Sequence, residues 1–227
     1  MLKRLLLITL LSFLGVVVLS ELLLPYMIGR QAETALGKAF GTGDIQAAVK
    51  ARPALAMLGG NFSEITVNGK DLHTGKLTIN RLSAVFTDTK IDLARLITAK
   101  SLTFREIGGF DGTLVLKEED VNQYITNTVK GLKNVHVTID PENTKVAGDL
   151  TLGPVSVAVT MHGKLRGEQN LITFKAEQLL VNNAAVGLNL ASGLTEFPVF
   201  DLKKLPVPAT VREISSEAGQ VVIRIGK

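Results

Sequence analysis

The chain has no cysteine and no tryptophan, and its aromatic side chains make up only 5% of 227 residues. Without thiols there is no disulfide framework and no thiolate metal site. With so few rings, stacking platforms for sugars or nucleobases are poorly supplied. An excess of one charge is missing too. The formal net charge is +4, and setting aside Lys3 and Arg4 at the extreme N-terminus leaves 23 basic residues against 21 acidic ones, a bias of +2. That is too weak to argue for nucleic acid, and no such partner is expected.

Linear signatures of catalysis are also lacking. Gly41-Thr-Gly43 and the glycine pairs have neither the spacing nor the lysine of a phosphate-cradling loop. No serine sits in a G-x-S-x-G elbow. His73, His136 and His162 fall on different segments, and none has an H-E-x-x-H partner. His136 and His162 lie on the polar phase of alternating strands, so they are read as solvent-facing. Glu118, Glu119 and Asp120 are consecutive, which points them in different directions. They suit the start of a helix better than a catalytic pair. The chain is therefore expected to be no enzyme and to carry no metal or cofactor.

What it has in quantity is aliphatic side chains, and they are concentrated first at the N-terminus. After the cationic head Met1-Leu2-Lys3-Arg4, the run from Leu5 to Leu19 is apolar apart from Thr9 and Ser12. This is the charged and apolar sequence of an export signal. Glu21 interrupts the run and Leu22-Leu23-Leu24 resumes it. Extension to Ile28 reaches the roughly 20 residues that cross a bilayer, with Glu21 near one interface. Lys3 and Arg4 hold the N-terminus inside, placing the body of the chain outside. Val18-Leu19-Ser20 lacks a good A-x-A cleavage site, so an uncleaved anchor is favoured; cleavage there would give a secreted protein. A buried helix of a soluble domain would show a polar face, and this run has none. Residues 1–24 are read as signal or anchor and residues 25–227 as one domain on the outer face of the cytoplasmic membrane.

Beyond the anchor, Ile28, Ala32, Ala35, Leu36, Ala39 and Phe40 share one helical face. The helix they predict is expected to leave the membrane at Pro25, acting as a joint, and to stop at Gly41-Thr-Gly43. A strand around 45–51 follows, then a short helix opened by Pro53 and closed by Gly59-Gly60. Strands are expected at 62–68 and 76–88, separated by a turn at Asn68-Gly69-Lys70-Asp71. Asp92 caps a short helix over 93–98. Strands at 101–106 and 112–116 are split by Gly108-Gly109. The acids at 118–120 open a second main helix whose apolar face is Val121, Tyr124, Ile125, Val129 and Leu132. The remainder reads as β, alternating at 135–139 and 155–161. Its turns are placed at 140–143, 163–170 and 182–183, a looser stretch is marked by Pro198, Pro206 and Pro208, and a final hairpin runs over 210–225. The class is α+β, with long antiparallel strands and amphipathic helices covering an apolar concave face.

Three stretches resemble the LmeA-like phospholipid-binding family of bacterial cell-envelope proteins. The first runs from Arg52-Pro53-Ala54-Leu55 through Met57-Leu58-Gly59-Gly60 to Phe62-Ser63-Glu64-Ile65-Thr66-Val67. The second is 82–88 running into Ile91-Asp92-Leu93-Ala94-Arg95-Leu96, and the third is Leu205 to Val211 with the closing hairpin. Their order and the preceding export segment agree, so the resemblance spans nearly the whole chain. It implies an elongated, tubular-lipid-binding-like half-barrel, with strands wrapped around helices to make an apolar groove, and phospholipid binding without catalysis. Phospholipid and the cytoplasmic membrane are the expected partners. An envelope scaffold with a filled core is the first alternative and an extracytoplasmic hydrolase the second.

A groove for acyl chains needs aliphatic walls and little charged intrusion. Met57, Leu58, Phe62, Phe86, Leu96, Ile97, Phe104, Ile125, Leu132 and Phe174 combine large side chains with positions near helix–strand junctions, and are the candidate lining. Lys50, Arg52 and Arg105 are the candidates for a headgroup phosphate at its mouth.

Overall fold

The apolar N-terminal run and the amphipathic stretch behind it form one helix, α1 (Leu2–Phe40), with Pro25 inside it. Sequence places a joint at Pro25, and the helix passes through instead. Pro25 removes the donor that the Glu21 carbonyl would have used, and its ring crowds that carbonyl. Good helix formers precede it, and packing holds the turns that follow. Ile28, Ala32, Ala35, Leu36 and Phe40 are buried, whereas Ala39 is exposed. The computed structural model describes residues 2–41, 44–152, 155–187, 195–205 and 207–227. Thr42 and Gly43 of the expected helix stop, and Pro206, lie outside the described residues.

Contacts divide the chain into two compact units, Met1–Asn68 with Ala84–Phe110, and Gly69–Ser83 with Asp111–Lys227. The first unit holds α1, β1 (Ile45–Lys50), a 3₁₀ helix (Ala54–Gly59) and α2 (Leu93–Ala99). Three long strands, β2 (Asn61–Thr74), β3 (Leu77–Ile91) and β4 (Phe104–Lys117), supply residues to both units. One antiparallel sheet has the order β1-β2-β3-β4-β12-β11, where β11 is Thr210–Glu217 and β12 is Gln220–Gly226. It is not closed into a barrel.

β1 is an edge of that sheet, and α1 covers it. Ile45, Ala47 and Val49 are buried in strict alternation. The outward N–H of Ala47 donates to Glu33 Oε1 at 3.2 Å, which blunts an edge that would otherwise stand open. Close approach of helix to strand depends on Gly29, where a Cβ would lie 2.8 Å from the Ala47 carbonyl oxygen.

Within the second unit lie α3 (Glu118–Thr128) and a second sheet, β10-β8-β7-β6-β5, with β9 paired to β8. These strands are β5 (Leu132–Ile139), β6 (Thr144–Leu152), β7 (Val155–Glu168), β8 (Leu171–Val181), β9 (Ala184–Val186) and β10 (Glu196–Asp201). The three acids begin α3 as expected, and Glu118 Oε2 accepts from the Ile139 N–H at 2.8 Å. Leu132, placed by spacing on the helical face, instead opens β5 and is buried there.

Several expected breaks are continuous strand. β2 runs through Asn68–Asp71 and turns at Gly75, where φ is +68°. β4 runs through Gly108-Gly109. β7 continues through Gly163 to Glu168. The looser stretch around Pro198 contains β10, an edge strand with a register shift between Pro198 and Phe200, which is where a sheet tolerates proline.

Candidate lipid-binding site

In the first unit the lining candidates assemble around β3 and its neighbours. The 3₁₀ helix after Pro53 buries Ala54 and Met57. Gly60 closes it at φ +77°, and a Cβ there would lie 2.3 Å from the Ile91 carbonyl oxygen, so both the conformation and the space demand glycine. Asp92 caps α2 by accepting from the Arg95 N–H at 3.1 Å, which sets Leu96 into the interior. Phe62 and Phe86 are buried and Phe104 is half-buried. The Phe86 ring stacks on Phe104 at 4.9 Å and on Phe110 at 4.8 Å between centroids.

Two candidates leave this cluster. Leu58 and Ile97 point out of the fold and are 59% and 51% exposed. The other three, Ile125, Leu132 and Phe174, are buried in the second unit, where Phe174 stacks on Phe197 at 5.1 Å. Sequence reasoning did not single out Phe110, Phe197 or Phe200, all of them buried. Phe110 follows a glycine pair and the other two flank Pro198, so each was hidden behind a residue that usually marks a break.

The three headgroup candidates differ in what already neutralises them. Lys50 pairs with Glu64 at 2.6 Å, and its hydrogen bond, followed by its charge, holds the Glu64 carboxyl below its usual range. Arg105 pairs with Asp92 at 2.8 Å. Arg52 is exposed and makes no ion pair among the described residues. It lines an open hollow of about 330 Å³ together with Asn61, Ser63, Thr89, Lys90, Asp88 and Glu106. Thr89 is buried there, and its hydroxyl has no hydrogen-bond partner among the described residues. A hollow of about 430 Å³ in the second unit, around Asn143, Lys164 and Ser216, contains none of the candidates.

Residues 19–225 match the family described as LmeA-like phospholipid-binding. The chain belongs to that family. Among curated proteins and solved structures no significant match is found.

The Asp92 pair illustrates how the structure around α2 is fixed. The hydrogen bond from Arg105, followed by that from the Arg95 backbone N–H, lowers the Asp92 carboxyl below the ordinary aspartate range. A carboxylate whose pKa is depressed by folding adds stability above its unfolded value and loses it as pH falls through the folded one. Arg105→Met should therefore move the Asp92 titration, followed by carboxyl carbon chemical shift, toward higher pH. An unmoved midpoint would show that the Arg95 N–H alone sets it.

Proposed function

We propose that this protein binds phospholipid outside the cytoplasmic membrane, held to that membrane by α1, and that it does so without catalysis. The observation that carries the reading is the family match over nearly the whole chain. The apolar part of α1 supports the tether. It is long and apolar enough to cross a bilayer, with a mean hydropathy of 2.5 over a window that is not buried at all. Acyl chains are assigned to the interior of aliphatic and phenyl groups that includes Met57, Phe62, Phe86, Leu96 and Phe104. Ile125, Leu132 and Phe174 provide similar walls in the second unit. The phosphate is assigned to Arg52, with Lys90 beside it, in a hollow that also holds Asp88 and Glu106. Lys50 and Arg105 are already paired and serve structure first.

Mass spectrometry of organic extracts from the detergent-purified chain tests this. Co-purified phospholipid, or uptake from liposomes, is expected; finding neither would overturn it. A charge-assisted hydrogen bond contributes about 1.5–3 kcal/mol. Arg52→Glu should therefore weaken phospholipid binding by roughly tenfold or more, while Lys50→Glu should have a smaller effect. The stacking of Phe86 between two rings favours one other reading, an envelope scaffold with a closed core. Such a protein would yield no lipid in either assay.

A further inference from the structure

Two short helices of the first unit turn large apolar side chains outward beside the membrane helix. Residues three apart stack on one face of a 3₁₀ helix. Ala54 and Met57 form the buried face, which leaves Leu55 and Leu58, each one position later, on an exposed one. In α2 Leu96 is buried and the next residue, Ile97, is exposed. Isolated exposed leucines are common, but these share a location. Both short helices pack on α1. The Ala54 N–H donates to Glu21 Oε1 at 2.8 Å, and Lys100 at the end of α2 donates to Gln31. Glu21 and Gln31 stand ten residues, about 15 Å, apart along α1, and between them Leu22, Leu23, Tyr26 and Met27 are exposed too.

The depth of this surface follows from the helix that carries it. About 20 residues at ~1.5 Å each span a hydrocarbon core of about 30 Å. A span that begins after Arg4 thus ends near Leu24, and Glu21 lies about 5 Å inside the outer boundary. Its bond to Ala54 fixes the 3₁₀ helix at the same height. An isolated carboxylate at that depth would be costly, and the Ala54 N–H gives it a partner. Arg52 precedes the 3₁₀ helix, and Arg95 lies on α2 with its Nε 3.9 Å from Asp92; both are exposed, where cations meet lipid phosphates.

We infer that the 3₁₀ helix and α2 form a docking surface for the outer leaflet of the bilayer, with Leu55 and Leu58 in the headgroup–acyl boundary, Ile97 farther out among the headgroups, and Arg52 and Arg95 against the phosphates. The inference rests on α1 being the membrane tether and adds a fixed seat to it. Because α1 runs unbroken from the apolar span into the packed interior, the first unit cannot swing freely on its anchor. The Arg52 hollow then opens at the lipid surface.

The absence of tryptophan makes the test direct, since one introduced indole is the sole such fluorophore. The full chain is reconstituted in vesicles of phosphatidylglycerol and phosphatidylcholine, the latter brominated either near the glycerol or near the bilayer centre. Leu58→Trp and Ile97→Trp should be quenched severalfold more by the shallow bromines than Lys38→Trp, which is exposed on the same helix about 25 Å beyond Glu21. Equal quenching at all three sites overturns the inference. So does shielding of Leu58→Trp from aqueous iodide without bromine quenching, which would mean that protein covers the patch. Leu14→Trp separates the two levels of the argument. Deep bromines quenching Leu14→Trp, with no quenching at Leu58 or Ile97, leaves the tether standing and removes the seat; no quenching at any of them removes both.

Discussion

Phe86→Ala is expected to destabilise the protein by about 3–5 kcal/mol. The side chain is 4% exposed and lies between two other rings, so truncation deletes apolar burial and both stacking contacts at once. Aromatic pairs add about 0.5–1.5 kcal/mol each beyond area. The neighbouring rings sit on β4, whose strand pairing limits how far they can close the gap. Typical domains have only about 5–15 kcal/mol in hand, and the loss should be plain in urea melts. Phe104→Ala, at a half-buried position, should cost less. The pair also bears on function. If acyl chains occupy this interior, phospholipid fills the new cavity and stabilises the variant more than the wild type. Equal stabilisation of the two would place the lipid elsewhere.

Part of the fold was legible because the strand around 45–51, the Asp92 cap and the acidic start of α3 are local signals. Each depends on residues within one turn or one strand of each other. The expected breaks at Gly108-Gly109 and Gly163 failed for the opposite reason. A Cβ on Gly108 would lie 2.8 Å from that of Asp88, and one on Gly163 would lie 2.2 Å from the Lys175 carbonyl oxygen. Glycine serves there to admit a neighbouring strand, and a sequence pattern does not record the neighbour. The divergence of Met57 and Leu58 has the same character. Both are large, apolar and adjacent, and only the three-residue period of the helix decides which one is buried. Glu21 read as an interruption of the apolar run. Its partner, the Ala54 N–H, stands 33 positions away and could not be read from the run itself.

Removing residues 1–43 should unfold the first unit, while removing residues 1–20 should leave it folded. The apolar span is exposed, so the fold owes it little. The second half of α1 belongs to the interior. Ile28, Leu36 and Phe40 are buried, and each such side chain contributes about 1.5–3 kcal/mol, together roughly 5–9 kcal/mol. That is comparable with the whole stability of a domain. The deletion also uncovers β1 and takes away the Glu33 acceptor for the Ala47 N–H. A single substitution isolates the effect from chain length. Ala35→Glu places an unpaired carboxylate at a position 3% exposed and should cost several kcal/mol. Ala39→Glu, on the exposed side of the same turn, should change stability by no more than about 0.5 kcal/mol. Amide exchange at Gln46 and Ala48, whose N–H groups alternate with the outward one of Ala47 and so face β2, gives the decisive reading. Protection that survives the longer deletion would mean that β1 holds its place without the helix, and that α1 is an anchor and nothing more.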